Sequence, residues 1–578
     1  MREASTPPLA DLSSYRNVTD LLLRREAVAP HHLAFDVAAV DGTWRQVSTA
    51  AFADEVRAVA RGLIAAGLEP GQSVAIMSAT RYEWAVADLA IWFAGGVVVP
   101  VYDSSTAAQV AAIATDAHVR IAFSGDERAQ DALTDAGVPL VIDLGGGLTA
   151  LAQRGADITD DALERARSHA TPASPATIVY TSGTTGHPKG AVLTHENFLG
   201  QVLNIAAVYS DIVRADGNTV IFLPLAHVLA RGLQLICLAS GMRIAHLSAP
   251  SDVVSSLAVL RPTFLVVVPR ILEKITAAAA ARAAEKRLHG LWSAAVATAT
   301  DAGRAAEESE DGGIAARSWS LRLRHRLFDA LFYRRIRGLM GGRLRYMLSG
   351  GATLPARMSL LFCGMGIPVI EGYGLTETTA PLTGNLPGAI RSGTVGVPLP
   401  GSTVRISDGG EVLARGVGVF AGYRNPDDDA DAFVDGFFRT GDLGRLDDRG
   451  RLTLEGRLKD VVTTSHGKTI VPARWEAAIE QHPLVSSAIT VGEGRPYLTA
   501  LIVLDPDAPA FADVRSHHST IQRAVDDANA LVSRSEQVRR FELVTADAED
   551  REVVTPTLKI RRRELLHRES AVIDALYR

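Results

Sequence analysis

The sequence predicts an α/β fold in which buried, mostly parallel strands are layered with helices. Through the first two-thirds of the chain, short apolar and β-branched runs alternate with amphipathic stretches, a pattern typical of parallel sheets covered by helices. The predicted strands are SVAIMS, GVVVPVY, VRIAFS, PLVIDL, TFLVVVP, RYMLSG and PVIEGYG. The run WAVADLAIWFAGGVVVPVY is interrupted by Asp88 and a Gly-Gly pair, so it indicates a core helix leading into a buried strand rather than a membrane span.

Two changes of pattern predict the domain organisation. Between about residues 393 and 456, glycines and turn signals separate short strands, which indicates a small β-barrel-like subdomain beside two layered α/β subdomains. After residue 458, helix and strand patterns resume in AAIEQHP, SSAITVG and YLTALIVLD. We therefore predict a large N-terminal domain over residues 1–458 and a small α+β domain over residues 459–578.

Composition narrows the function classes. Apolar residues make up 47% and charged residues 21% of the 578 positions, as in folded globular enzymes. The net charge of −6 argues against a general nucleic-acid binder. Cys237 and Cys363 are too few for a disulfide framework or a cysteine metal site, and the N-terminus lacks an apolar signal core, so a cytoplasmic protein is expected.

Residues 277–340 predict a helical insert with EESEDGG as its loop. Its second half, from Arg317 to Arg345, carries nine arginines against one acid. Apolar residues recur there at helical spacing, namely Leu323, Leu327, Leu331, Phe328, Phe332 and Ile336. Two interpretations stay open: a helix packed on the protein with its arginines in solvent, which we favour, or a helix lying on the anionic inner face of a membrane.

The segment YTSGTTGHPKG, residues 180–190, predicts a phosphate-binding loop because glycines, hydroxyls and Lys189 together offer many donors. It is not a Walker A loop, since Gly186 and Lys189 are two residues too far apart and the flanks TIVYT and KGAVL are both strand-like. The sequence therefore predicts a loop between two strands. A flexible surface loop is the alternative.

Further stretches carry candidate functional groups, and two of them, LSGGATL and EGYGLTETT, follow predicted strands at the sheet edge where α/β proteins bind ligands. The others are LPLAHVLARG with His227 and Arg231, FRTGDLG with Asp442, GRLKD with Arg457 and Lys459, and TPTLKIRR with Lys559. Each stretch alone is also compatible with a core histidine, a turn or a surface lysine.

In this order, the motifs resemble those of the adenylate-forming superfamily, whose members activate carboxylic acids as acyl-adenylates. The resemblance runs from about Asp41 to Arg563 and is closest to the bacterial long-chain fatty acyl-CoA synthetases. The supporting stretches are RYEWAVADLAIWFAGGVVVPVYDSS, VPRILEKI, LFDALFYRRIRGLMGGRLRYMLSGGATL and GEGRPYLTALIVLD. The resemblance implies a fatty acid, ATP, Mg²⁺ and CoA as partners, and leaves a homodimer open.

The resemblance also implies roles for single residues. Lys559 would bridge the acid carboxylate and the α-phosphate, Thr376 would contact that phosphate, and His227 would lie beside the carboxylate. Glu377 and Thr181 would hold Mg²⁺, and Arg231 would join His227 at the acyl site. Tyr373 would stack on adenine, and Asp442 would accept hydrogen bonds from the ribose with help from Arg457. The complete expected ATP and AMP site is Thr181, Ser182, Gly183, Thr184, Thr185, Gly186, Lys189, Gly350, Gly351, Ala352, Glu371, Gly372, Tyr373, Gly374, Thr376, Asp442 and Arg457.

The small domain is expected to be mobile, because CoA must reach the carbon that Lys559 covers. The resemblance places the hinge at Lys459. It places the loop that contacts CoA at Ser465, His466, Gly467 and Lys468. His466 stands where the family usually has glycine, and a positive φ at this position would strain the thioester step. Ala230 likewise stands where an acid often precedes the arginine.

The expected function is ATP-dependent conversion of a long-chain fatty acid to acyl-AMP and then to acyl-CoA, with AMP and pyrophosphate as the other products. The main alternative is a fatty acyl-AMP ligase that serves an acyl carrier protein, but no restraining segment is evident between Gly401 and Lys459. A non-catalytic nucleotide-binding scaffold is disfavoured because Glu377, Asp442 and Lys559 are all present.

Overall fold

A computed structural model describes residues 1–39, 41–182, 188–248, 253–310, 318–505, 517–546, 550, 553–554 and 560–578. The predicted phosphate-loop residues Gly183, Thr184, Thr185 and Gly186 lie outside the described residues, as does Lys559.

The strands are numbered in chain order. They are β1 (Glu3–Thr6), β2 (Leu33–Ala38), β3 (Trp44–Ser48), β4 (Ser73–Met77), β5 (Val97–Val101), β6 (Ile121–Ser124), β7 (Leu140–Asp143), β8 (Pro175–Ser182), β9 (Pro188–Thr194), β10 (Asn218–Ile221), β11 (Arg243–His246), β12 (Phe264–Val267), β13 (Tyr346–Ser349), β14 (Val369–Tyr373), β15 (Thr383–Gly384), β16 (Val397–Pro398), β17 (Ser402–Ile406), β18 (Glu411–Gly416), β19 (Gly422–Tyr423), β20 (Phe433–Val434), β21 (Phe437–Leu446), β22 (Leu452–Arg457), β23 (Val462–Thr463), β24 (Thr469–Ile470), β25 (Val485–Val491), β26 (Leu498–Leu504) and β27 (Val538–Thr545).

The helices are numbered in the same way. They are α1 (Asp20–Val28), α2 (Thr49–Ala65), α3 (Tyr82–Phe93), α4 (Ala107–Asp116), α5 (Glu127–Asp135), α6 (Gly147–Arg154), α7 (Asp160–Arg167), α8 (His195–Val208), α9 (Val228–Ser240), α10 (Val253–Leu260), α11 (Pro269–Glu285), α12 (His289–Glu310), α13 (Trp319–Phe328), α14 (Arg334–Leu339), α15 (Ala356–Gly364), α16 (Ala473–Ile479), α17 (His518–Ala530), α18 (Arg562–Arg568) and α19 (Ser570–Leu576). A π-helical segment, Asp329–Tyr333, joins α13 to α14.

Two layered α/β sheets form the body of the large domain. One has seven strands in the order β19-β9-β8-β5-β4-β6-β7, and the other has nine in the order β16-β15-β14-β13-β12-β10-β11-β2-β3. The central strands of both sheets are parallel, and antiparallel strands lie toward the edges. All seven apolar runs predicted as strands are strands, and most of them are fully buried. The predicted core helix is α3, which leads into β5.

The predicted β-rich subdomain is a six-stranded antiparallel sheet in the order β1-β17-β18-β21-β20, with β22 on β21. Its first strand comes from the chain start, where Glu3 lies opposite Arg405. The sequence pattern did not predict this strand, because EAST is short and polar. The ladders among the described strands leave the sheet open rather than closing it into a barrel.

The insert is helical, as predicted, and comprises α11 to α14. The prediction of its loop is wrong in part, because α12 continues through Glu310 and so includes the first four residues of EESEDGG. Glu307 explains this extension: its carboxylate is buried and accepts a hydrogen bond from the Ser392 backbone N–H at 3.2 Å. None of the helices in the described ranges is long and apolar enough to cross a membrane.

The small domain is built on a three-stranded sheet in which β25 is antiparallel and β27 parallel to β26. Its core surrounds the buried residues Trp475, Ile479 and Ile521. A short hairpin, β23 and β24, precedes this sheet and carries the expected CoA loop.

Candidate functional site

The predicted phosphate loop connects two antiparallel strands of the seven-stranded sheet. Thr181 at the end of β8 lies opposite Lys189 in β9, and Ser182 lies opposite Pro188. The prediction of a loop between two strands is therefore confirmed. Because the described residues on both sides of this loop are strands, the flanks contribute Lys189 and the Thr181 hydroxyl, and no helix dipole, to any phosphate held here.

The segment around β19 links this loop to Glu377. Lys189 Nζ lies 2.9 Å from an Asp428 carboxylate oxygen and 5.3 Å from the centre of the Tyr423 ring. The Tyr423 hydroxyl donates a hydrogen bond of 3.0 Å to Glu377 Oε1. Lys189, which is expected to bind the triphosphate, is therefore connected to Glu377, which is expected to bind the metal ion. The connection runs through the short segment around β19, which sequence reasoning did not single out.

The glycine-bearing motifs meet at the carboxyl edge of the nine-stranded sheet. Gly350 and Gly351 directly follow β13, and Tyr373 ends the neighbouring parallel strand β14. A Cβ on Gly374 would lie 2.9 Å from the Leu382 backbone nitrogen, so glycine is needed where these segments cross. The structure thus brings the expected adenine-site motifs together, with Ala352 at their exposed border.

Asp442 connects this edge to the six-stranded sheet. Its carboxylate accepts a hydrogen bond of 2.7 Å from the Tyr373 hydroxyl and lies 3.0 Å from Arg457 Nε. Asp442 and Arg457 are paired across β21 and β22, which explains why the two motifs lie together. Burial, together with the nearby Asp442 charge, holds the pKa of Tyr373 well above its ordinary value, so its hydroxyl stays a donor.

Thr376 and Glu377 lie in a 3₁₀ turn, Thr376–Thr378, that follows β14. The turn ends at Thr379, whose φ of 49° reverses the chain in the left-handed region. Burial raises the pKa of Glu377, and the hydrogen bond from Tyr423 opposes that rise. A single carboxylate fits Mg²⁺, because this ion is commonly held by one or two carboxylates together with substrate phosphates.

His227 caps the N-terminus of α9. Its Nδ1 accepts the Leu229 backbone N–H at 3.2 Å. A neutral imidazole that accepts at Nδ1 carries its proton on Nε2, so the cap selects one tautomer.

Arg231 lies in the core and not at an acyl site, contrary to the expectation from its motif. Its guanidinium donates to both carboxylate oxygens of Asp88, at 3.0 and 2.5 Å, and to the Thr177 hydroxyl at 2.8 Å. The side chains of Arg231 and Asp88 are only 1% and 0% exposed. Because Asp88 lies in α3 and Thr177 in β8, these contacts tie α9 to both elements.

An apolar cavity of about 30 Å³ lies between α8, α9 and the nine-stranded sheet. Helix α9 contributes Leu229, Leu233 and Ile236 to its wall, so the cavity follows the helix away from His227. Ala380, which also lines the cavity, lies two residues after the Thr376–Thr378 turn. A cavity of this volume holds about one water, so an alkyl chain would have to part the lining side chains.

The loop between β23 and β24 is a tight turn in which the Gly467 N–H donates to the Thr464 carbonyl at 2.9 Å. Gly467, with a φ of 75°, adopts the left-handed conformation, so the expected strain at His466 does not arise. Beside this turn is a groove of about 580 Å³ with four basic side chains, His466, Lys468, Arg534 and Arg539. The hinge residue proposed from the sequence, Lys459, lies in the 3₁₀ turn Leu458–Asp460 that joins β22 to this domain.

Glu371 is a buried acid of β14 and one of the predicted nucleotide-site residues. Burial, with a smaller contribution from the nearby Glu307, raises the pKa of its carboxyl to about 8 against the opposing effect of a hydrogen bond from the Gly393 backbone. Among the described residues, Glu371 Oε1 has no hydrogen-bond partner. A neutral carboxyl suits this position.

We expect Glu371→Gln to weaken the fall in the free energy of unfolding that Glu371 causes between about pH 4.5 and 8. Because the folded pKa is raised, the stability from a neutral Glu371 is full below its unfolded pKa and is lost as the pH rises through about 8. The slope from one such group reaches about 1.4 kcal/mol per pH unit at most. Thermal unfolding across this range measures it.

Glu542→Gln, which removes an exposed acid of strand β27 in the small domain, is the matched control. It should leave the pH dependence of the free energy of unfolding as in the wild type. An unchanged pH profile for Glu371→Gln would show that this carboxyl is already ionised in the folded protein.

The comparisons identify the class of protein. The family model described as AMP-binding enzyme matches residues 24–424, and that of the AMP-binding enzyme C-terminal domain matches residues 459–578. The chain therefore belongs to the AMP-binding enzymes, the adenylate-forming superfamily that its motifs resemble.

Individual relatives show which AMP-binding enzymes the chain is similar to. The chain is 35% identical to the long-chain-fatty-acid–CoA ligase FadD15 of Mycobacterium tuberculosis over all of both chains. It is 28% identical to long-chain-fatty-acid–CoA ligase 6 of Mus musculus, covering 88% of this chain and 78% of the other. In structure it resembles ATP-bound MatB of Rhodopseudomonas palustris, with a TM-score of 0.71 at 24% identity over 96% and 99% of the two chains. These findings confirm the predicted family, and the structural likeness confirms the predicted fold.

Sequence reasoning missed Asp88, Tyr423 and Asp428, which hold predicted site residues in place. Each contacts its partner across more than forty positions, so no local spacing pattern pointed to them. The run NPDDDAD, which contains Asp428, carried the only local signal, a charged turn after a strand.

Proposed function

We propose that the protein is an AMP-forming long-chain fatty acid–CoA ligase. The observation that carries this proposal is the apolar cavity, whose wall includes Leu229 and Leu233 of α9, just after His227, and Ala380, just after the Thr376–Thr378 turn. A carboxylate near His227 and Thr376 would direct its alkyl tail toward that cavity, and the lining side chains would part to admit the tail. The long-chain-fatty-acid–CoA ligases at 35% identity over the full length support the same substrate class.

In the first half-reaction, a carboxylate oxygen attacks the α-phosphorus of ATP and the bond to pyrophosphate breaks. Both reactants are anionic, so catalysis here is mainly positioning and charge neutralisation. His227 Nε2–H would orient the carboxylate, and Lys189 would bind the departing pyrophosphate. Tyr373 and Asp442 would hold the nucleoside. Lys559 would stabilise charge at the α-phosphate.

Glu377 is the residue proposed to hold Mg²⁺, with Thr181 near the phosphates. The ion would neutralise phosphate charge, as it does in other nucleotide enzymes. The Tyr423 hydroxyl orients the Glu377 carboxylate for this role.

In the second half-reaction, the CoA sulfur attacks the acyl carbon, the bond to AMP breaks, and the thiol proton is released to solvent. Rotation of the small domain about Lys459 would remove Lys559 and bring in the turn at Ser465 to Lys468. The basic groove beside this turn supports CoA as the acceptor, because its arginines and Lys468 match the phosphates of that molecule.

The proposed location is the cytoplasm, with contact at the inner face of the membrane. ATP and CoA are water-soluble cytoplasmic metabolites, whereas a long alkyl chain partitions into lipid by about 0.8 kcal/mol per methylene. An enzyme that joins a fatty acid to CoA works best where the aqueous cytoplasm meets the lipid of the membrane.

The decisive experiment incubates the purified protein with ATP, Mg²⁺ and fatty acids of graded chain length, with and without CoA. We expect acyl-AMP without CoA, acyl-CoA with it, and the highest kcat/KM for long chains. Transfer to acyl carrier protein but not to CoA would establish the alternative acceptor. A preference for short or aromatic acids would contradict the role given to the cavity.

The double variant Arg534→Gln/Arg539→Gln is expected to raise the KM for CoA about tenfold or more. Losing two arginine–phosphate contacts would cost on the order of 1–3 kcal/mol. Formation of acyl-AMP should not change, because it does not use the groove. Pyrophosphate release in the absence of CoA and thioester formation in its presence separate the two steps.

Arg523→Gln is the matched control, since Arg523 is exposed on α17 and does not line the groove. If the groove variant binds CoA normally, the nucleotide part of CoA docks elsewhere.

A further inference from the structure

The outward side of α13 carries a row of large apolar side chains, which we call the α13 stripe. Trp319, Leu323 and Leu327 follow one another at four-residue spacing and are 78%, 60% and 54% exposed. Leu331, in the π-helical segment, continues the row at 37%. Among the described residues, fourteen large apolar side chains are exposed, and five of them fall between residues 319 and 339. Single exposed apolar residues are ordinary, but a contiguous row marks a contact surface.

The opposite side of the same segment is already packed on the protein. Phe328, Tyr333 and Ile336 are buried in the core that the insert shares with the nine-stranded sheet. The Tyr333 hydroxyl donates to the Ala295 carbonyl at 2.6 Å, and His325 Nε2 donates to the Gly364 carbonyl at 2.7 Å. These contacts set the rotation of the helix, so the α13 stripe cannot turn inward.

Arginines border the α13 stripe on both sides. At about 100° per residue, Arg322 and Arg326 lie along one margin of the stripe and Arg324 along the other. All three are exposed, and in the part of the chain that the structure describes none has an acidic partner. Asp329, the one acid between residues 318 and 345, is neutralised by Arg337 at 2.7 Å.

We propose that the α13 stripe binds the surface of an anionic phospholipid bilayer. The leucines and Trp319 would enter the boundary between headgroups and acyl chains, and the arginines would meet lipid phosphates. A second copy of the chain suits this surface less well, because it would bring two arginine-bordered faces together. The stripe lies on the side of the sheet away from the apolar cavity, since the packed side of the insert joins the core around Leu265 and Met347, whereas the cavity is lined by Phe264 and Leu348. The proposal rests on the membrane contact given under the proposed function and names its surface, and vesicle binding tests that surface separately from the ligase activity.

The test is co-sedimentation of the full-length protein with vesicles of phosphatidylcholine alone or mixed with phosphatidylglycerol. We expect binding to the mixed vesicles, weakened by salt, and little binding to phosphatidylcholine alone. The variant Trp319→Ser/Leu323→Ser/Leu327→Ser should lower the bound-to-free ratio at least tenfold. The variant Arg322→Gln/Arg324→Gln/Arg326→Gln should remove the preference for anionic lipid.

The matched control replaces exposed apolar residues elsewhere, Val28→Ser/Val259→Ser/Leu531→Ser, and should bind vesicles like the wild type. Thermal unfolding and acyl-AMP formation from a water-soluble acid show that each variant is folded. Equal vesicle binding by the stripe variant and the wild type would overturn the proposal. The proposal would also be overturned if the wild type were a dimer that the stripe substitutions convert to a monomer while lipid binding stays the same.

Discussion

Lys559→Ala is expected to lower the rate of acyl-AMP formation by about 10²–10³-fold, the usual cost of removing one group that stabilises developing charge. Lys559 is outside the described residues, and its role rests on the resemblance of TPTLKIRR to the family motif. Thioester formation from supplied acyl-AMP should change little, because that step no longer involves the ATP phosphates. Release of pyrophosphate measures the first step, and conversion of synthetic acyl-AMP with CoA measures the second.

Two further variants test whether Lys559 acts in acyl-AMP formation and not in thioester formation. Lys286→Ala, which removes an exposed lysine at the end of α11, should affect neither step. Lys459→Pro should harm the second step more than the first, because proline restricts the turn about which the small domain is proposed to rotate. Equal loss of both steps in Lys559→Ala would contradict the assignment, and early failure of adenylation in Lys459→Pro would move the hinge elsewhere.

Arg231→Met is expected to destabilise the large domain by about 3–5 kcal/mol, because it leaves the Asp88 carboxylate buried without a partner. Burial raises the pKa of Asp88 and Arg231 opposes that rise, so Asp88 would then be protonated in the folded state, which limits the loss. The ring centre of Trp92 lies 4.6 Å from the guanidinium, and methionine can retain part of this packing. Urea unfolding followed by circular dichroism measures the change.

The double variant Asp88→Asn/Arg231→Met should regain much of the stability, since it removes both charges together. Arg128→Met, on the exposed side of α5, should leave stability unchanged. A stable Arg231→Met protein with a raised KM for fatty acid would restore the acyl-site role first expected for this arginine.

Sequence patterns were sufficient wherever the relevant physics is local. Seven apolar runs gave seven strands, because a β-branched run bounded by turns has few other ways to bury itself. The strand–loop–strand arrangement around Lys189 followed from its flanks for the same reason. The prediction of a loop at EESEDGG was wrong in part because Glu307 is held in α12 by Ser392, which is far away in the chain.

The amino-acid sequence alone determined the family, the order of the domains and the chemical character of the site, since these depend on motif content and on the period of apolar residues. Only the tertiary structure decided which partners those residues have. Arg231 belongs to the core because α3 places Asp88 against it, Asp442 meets Tyr373 because two sheets converge, and Gly467 rather than His466 takes the left-handed position. It also decided which side of the arginine-rich helix faces solvent, because packing of Phe328 and Ile336 selects the side that is buried. Such pairings depend on contacts between residues distant in the chain, and spacing patterns carry no information about them.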